Sequence, residues 1–149
     1  MMMFRWLSNS QLHHVESFSF FYSTGTMINA FAGYKLTREK TGVYTVTLCP
    51  DGVDPEDTVT ITVDDSFVQR LLNILRQYHV GHWNGFNKSN RYVKDGNSFS
   101  LNVSFQNGRS IDSHGYMRWP KHYKEVRVSL DKLFLEAYHH SNNLNSEGT

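Results

Sequence analysis

Two histidines three residues apart, His79 and His82, have the spacing of a pair of metal ligands, with His114 or His122 as further donors if the fold brings them close. Zinc requires three or four such donors in a tetrahedral array, and this spacing supplies two. Histidines at a helix C-terminus also interact favourably with the helix dipole, which accounts for the pair without a metal. Residues 51–57, "DGVDPED", offer four carboxylates but lack the ligand order of a calcium loop, and Asp54-Pro55 is turn chemistry. Cys49 is the only cysteine, so neither an intrachain disulfide, a zinc ribbon nor a CxxC redox motif can form. Nothing in the sequence places a base beside it, and it reads as a packing residue rather than a nucleophile. A phosphate-binding Walker loop, a dinucleotide-binding glycine fingerprint, a serine-hydrolase elbow and a zinc-protease helix are all missing from the sequence.

A second set of residues suits recognition better than catalysis. Trp83, Phe86 and Tyr92 fall between a predicted helix and a predicted hairpin, and Tyr116, Arg118 and Trp119 fall at that hairpin's end. Tryptophan, tyrosine and arginine combine large contact area with a polar group, which is why they dominate binding hot spots. The alternative for each aromatic is that it plugs the end of the core.

These residues sit in a chain of 149 residues, the size of one ordinary domain. Aromatic residues make up 14%, enough for a substantial core, and the formal net charge is +1. So small an excess gives little drive for binding a phosphate backbone, which ranks nucleic acid below other partners. No stretch approaches the ~20 apolar residues needed to cross a bilayer, and the short apolar start is broken by Arg5. The expectation is a cytoplasmic protein.

The elements that must position these residues follow from periodicity. Residues 16–23, 28–38, 43–49 and 58–63 alternate apolar and polar positions, the period of a half-buried strand, and predict an antiparallel meander. Gly33 inside the second run suggests a bulge or a close backbone approach. From Asp64 or Asp65 as cap, the period changes. Phe67, Leu71, Ile74, Leu75 and Tyr78 share one helical stripe. Residues 98–105 alternate again, and Asn107-Gly108 predicts a type I′ hairpin turn into residues 109–116. Asp95-Gly96 would join a short strand at 90–93 to the same sheet. Val126, Leu130, Leu133, Phe134 and Ala137 mark a closing helix, and residues 141–149 read as a disordered polar tail after a single domain over 1–140. The fold class is α+β: an antiparallel β-sheet, meander plus C-terminal hairpin, with two amphipathic helices packed on one face.

Three stretches, "WNGF" at 83–86, "DGNSFSLNV" at 95–103 and "GYMRWPKHY" at 115–123, resemble a pattern of small bacterial proteins in which the same turns, strand and closing proline recur. Asn84 stands where that pattern has aspartate, and His114 where it has a small residue. The resemblance implies a shared fold and no particular activity, cofactor or metal. Two readings of function follow. The first is a non-enzymatic binding or protein-interaction module, using the aromatic rim or the open sheet face, with self-association into a homodimer as one way to cover a sheet edge. The second is a small metal- or His-dependent enzyme centred on His79, His82 and His114.

Overall fold

The computed structural model describes residues 6–23, 33–49, 58–90, 92 and 96–147. Seven strands form one sheet: β1 (Val15–Ser23), β2 (Gly33–Arg38), β3 (Tyr44–Cys49), β4 (Val59–Val63), β5 (Asn87–Ser89), β6 (Ser98–Phe105) and β7 (Ser110–Tyr116). Their spatial order is β4-β3-β2-β1-β6-β7-β5. The first four strands are the expected meander, and β6 pairs with β1 to set the C-terminal hairpin beside it. Helices α1 (Asp65–Gln77) and α2 (Tyr123–Glu147) pack together over the inner face of the sheet.

Alternation decides which side chains meet the helices. Phe18, Phe20 and Tyr22 of β1, Leu101 and Val103 of β6, and Val46 and Leu48 of β3 are buried on the inner face. Phe67, Leu71, Leu72 and Leu75 of α1 and Val126, Leu130, Leu133 and Phe134 of α2 close the core over them. At its centre Phe134 stacks on Tyr34 with ring centroids 4.3 Å apart and meets Phe67 edge-on at 5.1 Å. Such pairs add directional preference to the burial of large apolar rings. Asp64 caps α1 by accepting a hydrogen bond from the Phe67 N–H at 3.1 Å. A hydrogen bond from the Ser66 hydroxyl first, and then that from Phe67 N–H, hold its carboxyl below the usual range.

The outer face is polar in rows as well as in columns. Thr62, Thr45, Thr37, Ser17, Ser104 and Ser110 stand in register across six strands, a continuous line of hydroxyls. The adjacent row reads Thr60, Thr47, Lys35, Ser19, Asn102 and Asp112. Phe21 is the large apolar exception, and its ring lies over Gly33, its partner on β2. A Cβ at Gly33 would stand 2.3 Å from that ring, the close approach its sequence position suggested.

Four details differ from the sequence reading. The β6–β7 turn is a three-residue loop, with Gly108 N–H bonded to Phe105 O at 3.0 Å and positive φ at Gly108 alone of the Asn-Gly pair. A type I turn followed by a left-handed glycine satisfies the same dipeptide as a type I′ turn does. A short extra strand is Asn87–Ser89, ahead of the expected 90–93, of which Asn90 and Tyr92 are described and lie in no strand; it runs parallel to β7, so the sheet is mostly rather than wholly antiparallel. The last helix runs on through 141–147, where a polar tail was expected. Finally, Leu7 and Leu12, ahead of β1, belong to the core. The acidic loop 51–57 and Asp95 lie outside the described residues, and Cys49 pairs through its backbone with Gly33 at the end of β3.

Candidate functional site

After α1, Tyr78 closes the helix and His79 takes a left-handed conformation, φ 52°, which turns the chain into a 3-10 helix over Val80–Trp83. That turn drives Trp83 into the core, where it is 3% exposed and donates its indole N–H to Lys121 O at 3.0 Å. The next residues fasten the joint to the edge of the sheet. Gly85 N–H bonds Asp112 O, Asp112 N–H bonds Asn84 Oδ1, and His114 N–H bonds Phe86 O, all within 2.8–2.9 Å. The Asn84 side chain therefore serves as a strand-pairing group.

The other wall comes from the connection between β7 and α2. Met117 has a positive φ and exchanges hydrogen bonds with Asn97, its N–H to Asn97 O and its sulfur from Asn97 N–H. Gly115 admits this turn: a Cβ there would lie 2.2 Å from Arg118 O and 2.5 Å from the Phe99 ring. The chain is thereby thrown back across the end of the sheet. Trp119 stacks on Tyr123 at 4.7 Å and lies 5.9 Å from Phe99, with 39% of its surface still exposed. Burial pushes the Tyr123 hydroxyl well above its ordinary pKa, with the Arg127 charge pulling weakly the other way.

Between these walls lies a cleft of about 510 Å³. Trp83, Phe86 and Trp119 line it together with Trp6, which approaches from the start of the chain. Trp6 is 64% exposed and stacks on His82 at 5.0 Å, and His82 stacks in turn on His79 at 5.5 Å. All three tryptophans of the chain thus face one cleft. His122 also lines it, with φ 66° and its ring 5.7 Å from Tyr78. On the far side of Trp119 a second cleft, of about 490 Å³, is lined by Tyr22, Asn97, Tyr123 and Arg127. The Arg127 guanidinium sits 5.4 Å above the Tyr22 ring, and its buried Nε has no hydrogen-bond partner among the described residues.

Of the six residues expected to form a binding surface, Trp83, Phe86 and Trp119 converge on the first cleft. Tyr116 is spent on structure, since its hydroxyl accepts a hydrogen bond from Gly96 N–H at 2.9 Å. Tyr92 is 97% exposed and lines no described cavity, and Arg118 is likewise exposed outside the clefts. The histidines divide differently from the expectation. His79 and His82 share the cleft, whereas His114 lies on the outer face of β7, 2.6 Å from the Asp112 carboxylate. Alternation along β7 points His114 away from the cleft, and His122 takes its place. Among the described residues no group of three or more His, Cys, Asp or Glu side chains stands close enough to hold a metal ion. Trp6 was not legible as a site residue, because its contact with His82 joins residues far apart in the sequence and leaves no local pattern.

Set against protein-family models, curated proteins and solved structures, the chain matches none. No helix among the described residues is long and apolar enough to cross a membrane.

Proposed function

We propose that this protein is a non-enzymatic binding module whose ligand site is the tryptophan-lined cleft. The observation that carries the reading is the gathering of Trp6, Trp83 and Trp119 around one opening, from three distant parts of the chain. Trp83 forms a fixed floor, held by its hydrogen bond to Lys121 O, while Trp6 and Trp119 stay partly exposed at the rim. Concave, mostly apolar sites with a few convergent polar groups are the usual form of a ligand pocket. Here the polar groups are His79, His82, His122 and Lys121. The arrangement suits a flat or apolar group that stacks between the rim indoles and is oriented by the imidazoles: a sugar, a planar ring, or an aromatic or proline side chain of a protein partner. A cytoplasmic setting, in keeping with the single cysteine, belongs to the same proposal.

The test is a titration followed through the three indole N–H resonances in a nitrogen-edited NMR spectrum, using a panel of monosaccharides, indole carboxylates and proline-rich peptides as probes. Binding in the cleft shifts the Trp6 and Trp119 signals together. A panel that leaves all three indoles unmoved, or moves none of them in common, removes the reading.

The second reading, a His- or metal-dependent enzyme, is favoured by one observation: His79, His82 and His122 line the same cleft. Imidazoles are versatile ligands and proton carriers. Its set would be these three, acting as proton carriers, rather than His79, His82 and His114, since no three such side chains among the described residues stand close enough to hold a metal ion. Native mass spectrometry before and after chelator tests the metal form alone, since a bound metal adds a mass that chelator removes.

A further inference from the structure

The opposite end of the sheet carries a different kind of surface. Strand β4 reads Val59-Thr60-Ile61-Thr62-Val63, the same in both directions. It is the terminal strand of the sheet, pairing with β3 along one side, and among the described residues no strand pairs with its other side. Native edge strands are normally guarded by a charge, a proline or a bulge. This one has no charged residue or proline, and its register with β3 runs without a break from Val59 to Val63.

We infer that β4 is a self-association edge, through which two copies of this chain pair antiparallel about a two-fold axis at Ile61 into one continuous sheet. The palindrome is what selects a second copy as the occupant. An isologous interface requires each residue to meet its symmetry mate or the mate of its counterpart. Antiparallel pairing centred on Ile61 sets Ile61 opposite Ile61, Val59 opposite Val63 of the second copy, and Thr60 opposite Thr62. Like meets like in side-chain type at every position, with the apolar residues on the inner side and the threonines on the outer. Both polar rows would then continue across the seam, since Thr62 and Thr60 end those rows on β4.

A second feature supports the same edge. On the inner side a cleft of about 660 Å³ opens beside β4, walled by Val63, Phe67, Leu133 and Ala137 with Arg70 and Glu136 at its margin. The Arg70–Glu136 ion pair, at 2.8 Å, joins the two helices across it. Val59 of a second copy, opposite Val63, arrives at the mouth of this cleft and adds buried apolar area to the strand pairing. This deepens the interaction reading given above by naming a partner, and it uses a surface distinct from the tryptophan cleft.

The test is sedimentation equilibrium over a concentration series, on the full chain and two double variants. The expected result for the unmodified chain is a mass that rises from 17.3 kDa towards twice that value. Thr60→Lys with Thr62→Lys sets lysine against lysine at both symmetric pairs, and the dimer weakens by roughly tenfold. Thr60→Lys with Thr62→Glu sets opposite charges face to face, and the dimer persists at low salt and weakens as salt is added. Thr60 and Thr62 are exposed, so neither double variant touches the core, which circular dichroism verifies. A chain that stays at the monomer mass throughout overturns the inference, as does equal association by the two double variants. β4 amides already protected from hydrogen exchange in a monomer overturn it too, because the chain itself would then cover the edge. A monomer whose indoles still respond to ligand overturns this inference and leaves the cleft standing.

Discussion

At one end of the sheet, β5 is three exposed residues long, includes Lys88, runs parallel to β7 and is tied down by the turn that carries Trp83. At the other, β4 is five residues of valine, threonine and isoleucine in unbroken register, with nothing in its own sequence to discourage another strand. The first end spends its irregular backbone, with left-handed His79, Met117 and His122, on closing the sheet and opening a cleft. The second stays regular. Backbone strain like that of the first end persists only where the surrounding structure holds it, and it tends to cluster where ligands bind. A regular edge is what strand addition requires.

Trp83→Ala separates the ends most sharply. It removes a ring that meets Phe99 and Tyr123 and leaves Lys121 O without its partner, so a loss of about 3–5 kcal/mol in urea unfolding is expected. Self-association through β4 should persist in whatever fraction stays folded.

A smaller effect lies between the ends, on α2. Asp131 is pushed up to about 6 by burial, against the pull of a hydrogen bond from the Tyr22 hydroxyl, and the Tyr34 hydroxyl also donates to it. A carboxyl whose folded pKa is raised binds its proton more tightly in the native state than in the unfolded chain. Its contribution therefore favours folding below its ordinary value, and is lost as pH rises towards about 6. Asp131→Asn keeps the acceptor and removes the titration. Stability measured by urea unfolding should then fall less between pH 4 and 6, with a gain on the order of 1 kcal/mol at pH 7 once solvent screening of a partly exposed group is discounted. A steeper fall in the variant would contradict the assignment.

The smallest effect belongs to the β4 end. Asp64→Ala removes the cap of α1 immediately after that strand, and a slight drop in Tm is expected, largely restored by Asp64→Ser. A change in dimerisation free energy larger than the change in unfolding free energy would show that the two features at this end are coupled.

How legible each end was in the sequence follows from the same contrast. The regular strands were readable because Phe18 and Phe20, or Val59, Ile61 and Val63, alternate with polar residues on a two-residue period. The cap, read as Asp64 or Asp65, and the stripe of α1 were readable from equally local signals, a side chain able to accept free backbone N–H groups and a period of about 3.6 residues. Strand β5 was not, since Asn87-Lys88-Ser89 is wholly exposed and pairs only because the joint at Asn84 and Gly85 lays it along β7. Residues 141–147 carry no clear apolar stripe, so nothing in them announced the helix that α2 extends through. The cleft was half legible. The types of Trp83, Phe86 and Trp119 marked them as candidates for recognition, but that they share a cleft from which Tyr92, Tyr116, Arg118 and His114 are absent depends on how β7 faces and where its connections turn.

The most direct test of the cleft is Trp119→Ala, measured by the indole NMR titration with whichever probe binds the unmodified chain. Trp119 is partly exposed and rests on Tyr123, so the variant should stay folded, keep the Trp6 and Trp83 signals in place and lose most of its affinity. A folded variant that binds the same probe with unchanged affinity would contradict the account.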